Sequence, residues 1–235
     1  MKPNHFILKF YLTLLLGIGI VFPVSASDSL KTHIRAVASV YDPFVSEKDS
    51  VISGFDVDLL KLICTINNWT YEIKLVPFYK LIDLVEKDSA DIAIGAVYIT
   101  DERKNIVTFS NGYFNTGLTI VSSITKPLHT SSDLKKLRVG VKAESTGFRF
   151  AKKLNADDGL DLTIVPYYTT DEIFEALKNN EVDAVLNDFS NSYFITLKRY
   201  PGLFHISDQP VERNQIAFPV SDSFKKNLPK INTDP

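Results

Sequence analysis

The chain has 235 residues, with 26 Lys+Arg against 28 Asp+Glu. That near balance excludes the basic surface needed to hold nucleic acid or anionic lipid. One cysteine, Cys64, leaves neither a disulfide framework nor a cysteine-rich metal site available, and its apolar surroundings mark it as a small core residue.

Residues 1–26 read as a cleavable secretory signal. Lys2 and Lys9 mark a short basic region, residues 10–24 are apolar, and Val24-Ser25-Ala26 supplies small residues at a cleavage position. Cleavage near Ala26 leaves 209 residues, enough for one large domain or two small ones. It takes the Lys+Arg count from 26 to 24 against 28 acids, a net charge of −4. No second hydrophobic run follows, so the mature chain is expected in solution in the periplasm, without stable membrane insertion.

From residue 34 onward strand and helix patterns alternate, as in an α/β protein with largely parallel sheets. Residues 34–40 form a predicted strand. Residues 55–66 form a helix with Phe55, Leu59, Leu62, Ile63 and Ile66 on one face, and with Asp56 and Asp58 in the first turn, where the helix dipole favours anions. A strand at 71–76, a helix at 78–86 and strands at 91–97 and 118–123 follow. Polar residues 125–132 look like a crossing to a second unit. That unit repeats the alternation: strand 137–141, helix 146–154, strand 162–165, helix 171–178 behind a Thr169-x-x-Glu172 capping box, strand 182–186 and helix 189–198. A last strand is expected at 216–220 and a short helix at 222–228.

No nucleophile elbow, phosphate-binding glycine loop, dinucleotide fingerprint or zinc-protease motif is present. The histidines, His5, His33, His129 and His205, are scattered. No catalytic residue, metal site or cofactor is expected. Three features suit a charged small molecule instead. Arg103 lies in a charged turn beyond the strand at 91–97, where α/β sheets bind ligands, and its guanidinium can grip a carboxylate with two hydrogen bonds. A solvated Arg is the alternative. Ser145 and Thr146 open a helix whose N-terminus suits an anion, or they are an ordinary cap. Asp188 follows a buried strand and either neutralises a ligand ammonium or only caps the next helix.

The stretches Gly54-Phe-Asp-Val-Asp-Leu59, Ile99-Thr-Asp-Glu-Arg-Lys104 with Phe109-Ser110 and Tyr113, Val139-Gly-Val-Lys142 with Ser145-Thr-Gly147, and Asp183-Ala-Val-Leu186 with Asp188 come in a distinctive order. Together they resemble the bacterial extracytoplasmic solute-binding proteins of the polar amino-acid type, over about residues 34–229. The resemblance implies a two-lobed, type II binding-protein fold with two crossover strands and a ligand cleft between the lobes. Lobe one would comprise residues 27–123 and 208–235, and lobe two residues 124–207. It further implies a monomer that captures an amino acid and delivers it to an inner-membrane ABC permease. Arg103 would hold the α-carboxylate with N–H groups at Thr146, and Asp188 with a carbonyl near Gly95 would take the α-ammonium. Tyr41 and Phe78 would supply the two aromatic walls.

The chain departs from the family pattern at three places. Tyr98 stands where a small hydroxyl residue is usual, so its phenol is expected either to narrow the pocket or to replace the hydroxyl's hydrogen bond from farther away. Ala38 stands where binders of cationic amino acids carry an acid, which disfavours a strongly cationic ligand unless Glu144 turns inward. Relatives typically add another helix after the segment matching residues 224–231, whereas this sequence stops at Asn232-Thr-Asp-Pro235, so either lobe one is trimmed or the chain is truncated. Two other functions fit the same resemblance: a periplasmic enzyme of the cyclohexadienyl-dehydratase type, with Glu144 or Glu212 as its acid, or a sensory module without transport.

Overall fold

In a computed structural model, residues 31–232 are described, and they form two β-sheets flanked by helices. The expected signal segment and its cleavage site lie outside the described residues. Strand β1 (His33–Ala38) leads through a small hairpin, β2 (Ser46–Lys48) and β3 (Val51–Ser53), into helix α1 (Phe55–Ile66). There follow β4 (Thr70–Leu75), α2 (Leu81–Glu86), β5 (Ile92–Ile94), α3 (Asp101–Lys104) and β6 (Thr108–Phe109). The long strand β7 (Phe114–Ser123) precedes β8 (Arg138–Lys142), α4 (Thr146–Asp157), β9 (Thr163–Tyr167), α5 (Thr170–Lys178), β10 (Ala184–Asp188) and α6 (Phe189–Arg199). The chain ends through β11 (Phe204–Ile206), β12 (Glu212–Ile216), β13 (Pro219–Val220) and α7 (Leu228–Ile231).

The first sheet runs β4-β1-β5-β13-β6, with β1 parallel to β4 and β5 and with β13 antiparallel to β5. The second runs β9-β8-β10-β7-β11, with β8 parallel to β9 and β10, and β7 antiparallel to β10. Each parallel trio places its first strand in the middle, which demands a right-handed helical crossover on either side. Helices cover both faces of the inner strands, so β5 and β10 are buried throughout, whereas the outer strands β4 and β9 carry exposed residues such as Glu72 and Thr163. In the second sheet Ile120 and Leu186 meet α4 through Ala151 and Leu154, while Val121 and Val185 meet Ile173, Phe174 and Ile195 on the opposite side. Among the described residues no helix is long and apolar enough to cross a membrane.

Three sequence expectations change. In α1 the buried residues are Asp56, Val57, Leu60, Ile63 and Cys64, whereas Phe55, Leu62 and Ile66 are exposed. The helix is apolar around most of its circumference, so spacing alone selects no face, and the core face is fixed by the bonds that Asp56 makes. The strand expected at 216–220 is two strands, because Ala217 and Phe218 carry the chain from one sheet to the other. Finally, the strand expected at the end of the first lobe begins at Phe114 and pairs with β10, β11 and β12, so the sheets divide at residues 110–113 and 217–218. The second boundary is hidden because residues 216–220 are apolar and buried without interruption, and the first because residues 110–113, Ser-Asn-Gly-Tyr, are a mixed stretch without a strand pattern.

Cys64 is buried in the core of the first sheet, and burial pushes its thiol up to about 11.

Candidate functional site

Between the sheets lies a cavity of about 40 Å³, roughly the room of three waters. All eight residues expected to bind a ligand line it: Tyr41, Phe78, Gly95, Tyr98, Arg103, Ser145, Thr146 and Asp188. The ends of β5 and β10 point into it from opposite sides, since the chain must turn there and leaves backbone and side-chain polar groups at the strands' carboxyl ends.

On the first sheet's side, β5 runs into a tight turn at Gly95 and Ala96, both with positive φ. A side chain at Gly95 would bring its Cβ within 2.9 Å of the Ser39 carbonyl oxygen, so only glycine fits. Asp56, from the start of α1, accepts hydrogen bonds from the Gly95 N–H at 2.8 Å, the Ala96 N–H at 2.9 Å and the Tyr113 hydroxyl at 2.9 Å. Burial nevertheless pushes its carboxyl up to about 6. Asp56 thus braces the turn from behind.

Arg103, in the short helix α3 capped by Thr100, is 2% exposed. Its Nη1 donates to the Tyr98 carbonyl at 3.0 Å, its guanidinium lies 5.6 Å from the Phe78 ring centre, and its Nε has no partner. Burial, with Arg149 nearby, lowers its pKa to about 10. A buried guanidinium with an unpaired donor is ready for an anion.

On the second sheet's side, Ser145 caps α4 by accepting from the Phe148 N–H at 3.1 Å. The neighbouring Thr146 Oγ1 is buried without a partner. Gly147 lets the helix close on β10, where a Cβ would stand 2.8 Å from the Leu186 carbonyl oxygen. Asp188 plays both of its expected parts. Its Oδ1 caps α6 through the Asn191 N–H at 2.9 Å, and its Oδ2 accepts from the Tyr98 hydroxyl at 2.5 Å and the Thr116 hydroxyl at 2.7 Å. Burial raises its pKa. The Tyr98 phenol therefore spans the cavity and reaches the carboxylate expected to meet an ammonium.

Further contacts join the two sides. The Tyr41 hydroxyl donates to Asn187 Oδ1 at 2.8 Å, Arg199 pairs with Asp42 at 2.5 Å, and Arg149 pairs with Glu102 at 2.7 Å.

These features lead to comparison with known proteins. Residues 34–146 match the model of the bacterial extracellular solute-binding proteins, family 3. A probable histidine-binding protein of Neisseria gonorrhoeae is 31% identical over 69% of the chain, a match that spans 61% of that protein's length. An arginine-binding extracellular protein of Bacillus subtilis (strain 168) is 27% identical over 94% of the chain and 92% of its own length. Among solved structures, an ancestral arginine-binding protein bound to arginine superposes with a TM-score of 0.80, at 27% identity, covering 86% of this chain and 90% of that one. The chain belongs to the family-3 solute-binding proteins. Its two sheets facing a shared cavity are the two-lobed, type II fold of that family.

Within this family-3 site, sequence reasoning missed two polar residues that line the cavity. Lys142 closes the quoted motif Val139-Gly-Val-Lys142, and Asn187 precedes Asp188. Both end strands whose apolar run draws the eye away from a terminal polar residue. Glu144 is exposed and Glu212 pairs with the Asn214 side chain, and neither lines the cavity.

Proposed function

We propose that this protein is a secreted, monomeric amino-acid receptor that closes on its ligand between two lobes and hands it to an inner-membrane ABC permease. The lobes are residues 31–113 with 217–232, and residues 114–216. Arg103 takes the α-carboxylate, helped by the N–H and hydroxyl of Thr146. Asp188 and the Gly95 carbonyl take the α-ammonium, with Tyr98 sharing the Asp188 oxygen. The leader is removed near Ala26 on export to the periplasm.

The observation that carries this reading is the pair of buried, unpartnered polar atoms facing one cavity, Arg103 Nε and Thr146 Oγ1, opposite a carboxylate at Asp188. A zwitterion supplies both charges that this arrangement lacks, and water excluded on closure strengthens each pairing. The histidine- and arginine-binding relatives support an amino acid as the class of ligand. An enzyme needs a positioned acid or base near bound substrate, and both acids considered for that role stand outside the cavity. Binding without chemistry is therefore the reading favoured.

Thermal shift across the common amino acids, followed by calorimetry, tests it. A ligand bound only by the folded state raises the midpoint by mass action. We expect a selective shift that Arg103→Ala and Asp188→Ala each abolish. A folded protein that responds to no amino acid refutes the proposal.

A further inference from the structure

The cavity contains a second cation. Lys142, at the end of β8, is 5% exposed, and its Nζ lies 4.9 Å from the Tyr41 ring centre and 4.7 Å from that of Phe78. The two aromatic walls expected to embrace a ligand side chain thus already embrace an ammonium supplied by the protein. Among the described residues Lys142 has no carboxylate at ion-pair distance, and neither does Arg103. The one acid lining the cavity, Asp188, has its oxygens engaged by Tyr98, Thr116 and the Asn191 N–H. Asp56 is turned to the back of the Gly95 turn, with three donors of its own.

Lys142 also lines a second cavity, of about 500 Å³, with Asp42, Glu47, Asp171 and Arg199, where Arg199 pairs with Asp42 and Asp171 and Glu47 is exposed. In the smaller cavity two buried cations facing one engaged carboxylate leave an excess of positive charge, which an anion relieves and a cation aggravates. Resting on the receptor reading above, we propose that Lys142 sets side-chain specificity and selects an amino acid with an acidic side chain, the second carboxylate pairing with Lys142 while the first pairs with Arg103. A cationic side chain entering between Tyr41 and Phe78 would meet the ammonium already held there. An amide side chain would offer Lys142 an uncharged oxygen and leave the excess positive charge in place. The lowering of the Lys142 pKa to about 7 by burial agrees with a cation held without its counter-charge.

Calorimetry with L-glutamate, L-aspartate, L-glutamine, L-histidine and L-arginine, on the wild type, Lys142→Gln and Lys142→Met, decides the matter. We expect an acidic amino acid to bind the wild type at least 30-fold more tightly than glutamine or arginine. Both variants should erase that preference while still binding some amino acid through Arg103. Wild-type preference for arginine, histidine or glutamine overturns the specificity proposal and leaves the receptor reading standing, provided that Arg103→Ala abolishes the binding. An acidic ligand whose affinity is unchanged in both Lys142 variants also overturns it. Failure of every amino acid to bind the folded wild type overturns both.

Discussion

The two sheets repeat one plan and differ at one position. In each, a helix starts beside the turn that ends the third strand of the parallel trio: α1 beside Gly95 and Ala96, α4 beside Leu186. In each, an arginine near the start of the first strand clasps an aspartate placed just before the third. Arg35 grips Asp91 and the Asp88 carbonyl, as Arg138 grips Asp183 and the Asn180 carbonyl, and Asp88 and Asn180 both adopt positive φ. At the helix start the plans part. The first sheet fills its donors with its own carboxylate, Asp56, whereas the second presents Thr146 with a bare hydroxyl toward the cavity. At the helix start the first half answers its polar groups internally and the second leaves a hydroxyl unpartnered.

The largest effect expected from breaking this contrast is at Asp56. Asp56→Ala leaves the buried Gly95 and Ala96 N–H groups and the Tyr113 hydroxyl without a partner, and should cost about 3 kcal/mol. In a chain of this size that is a fall in melting midpoint of about 10 °C. Thr146→Val, which removes a hydroxyl that has no partner, should leave the midpoint within about 2 °C and weaken ligand binding instead. Equal losses of stability in the two variants would contradict the comparison.

Protons sharpen it next. Lys142, with Arg103, Tyr41, Tyr98 and Asp188 around the cavity, has its pKa lowered to about 7 from 10.5. Between those values the unfolded chain binds the extra proton, so stability in the absence of ligand should rise with pH across that window. An acidic ligand needs the charged form, so its affinity should fall above pH 7, approaching tenfold per pH unit, with proton uptake visible in calorimetry. Lys142→Met should flatten both profiles.

The smallest effect is at the repeated clasps. Arg35→Ala and Arg138→Ala each remove one arginine of the matching clasps and should lower the urea midpoint only slightly, Arg35→Ala by more because its partner Asp91 is buried and Asp183 is half-exposed. A larger loss in Arg138→Ala would mean that the shared plan hides unequal roles.

Much of this was legible in the sequence. The helix at 55–66 and the capping box at Thr169 appear where spacing and cap chemistry place them, because local rules suffice there. The cavity residues were legible only through motifs in order, as nothing in the spacing of Tyr41, Arg103 and Asp188 brings them together. The internal repeat was not legible. Residues 87–91 and 179–183, Lys-Asp-Ser-Ala-Asp and Asn-Asn-Glu-Val-Asp, share only the final aspartate, since a turn with positive φ accepts Asp or Asn, the buried fourth position takes Ala90 or Val182, and the others face solvent. Lys142 escaped for a different reason: a lysine at a strand end normally reaches water, and only tertiary packing against two aromatic rings reveals that this one does not.

The placement of β13 has a consequence for how the molecule comes into being. This two-residue strand sits between β5 and β6, and yet it is the last strand in chain order. A chain that emerges from its N-terminus therefore has all of its second sheet available, from residue 114 to 216, before the strand that joins β5 to β6 has appeared. The pairing of Val220 with Ile92 spans 128 positions and closes late, as contacts of high sequence separation do. The first sheet, begun earliest, is finished last, and its completion waits on the segment that also ties the two halves together.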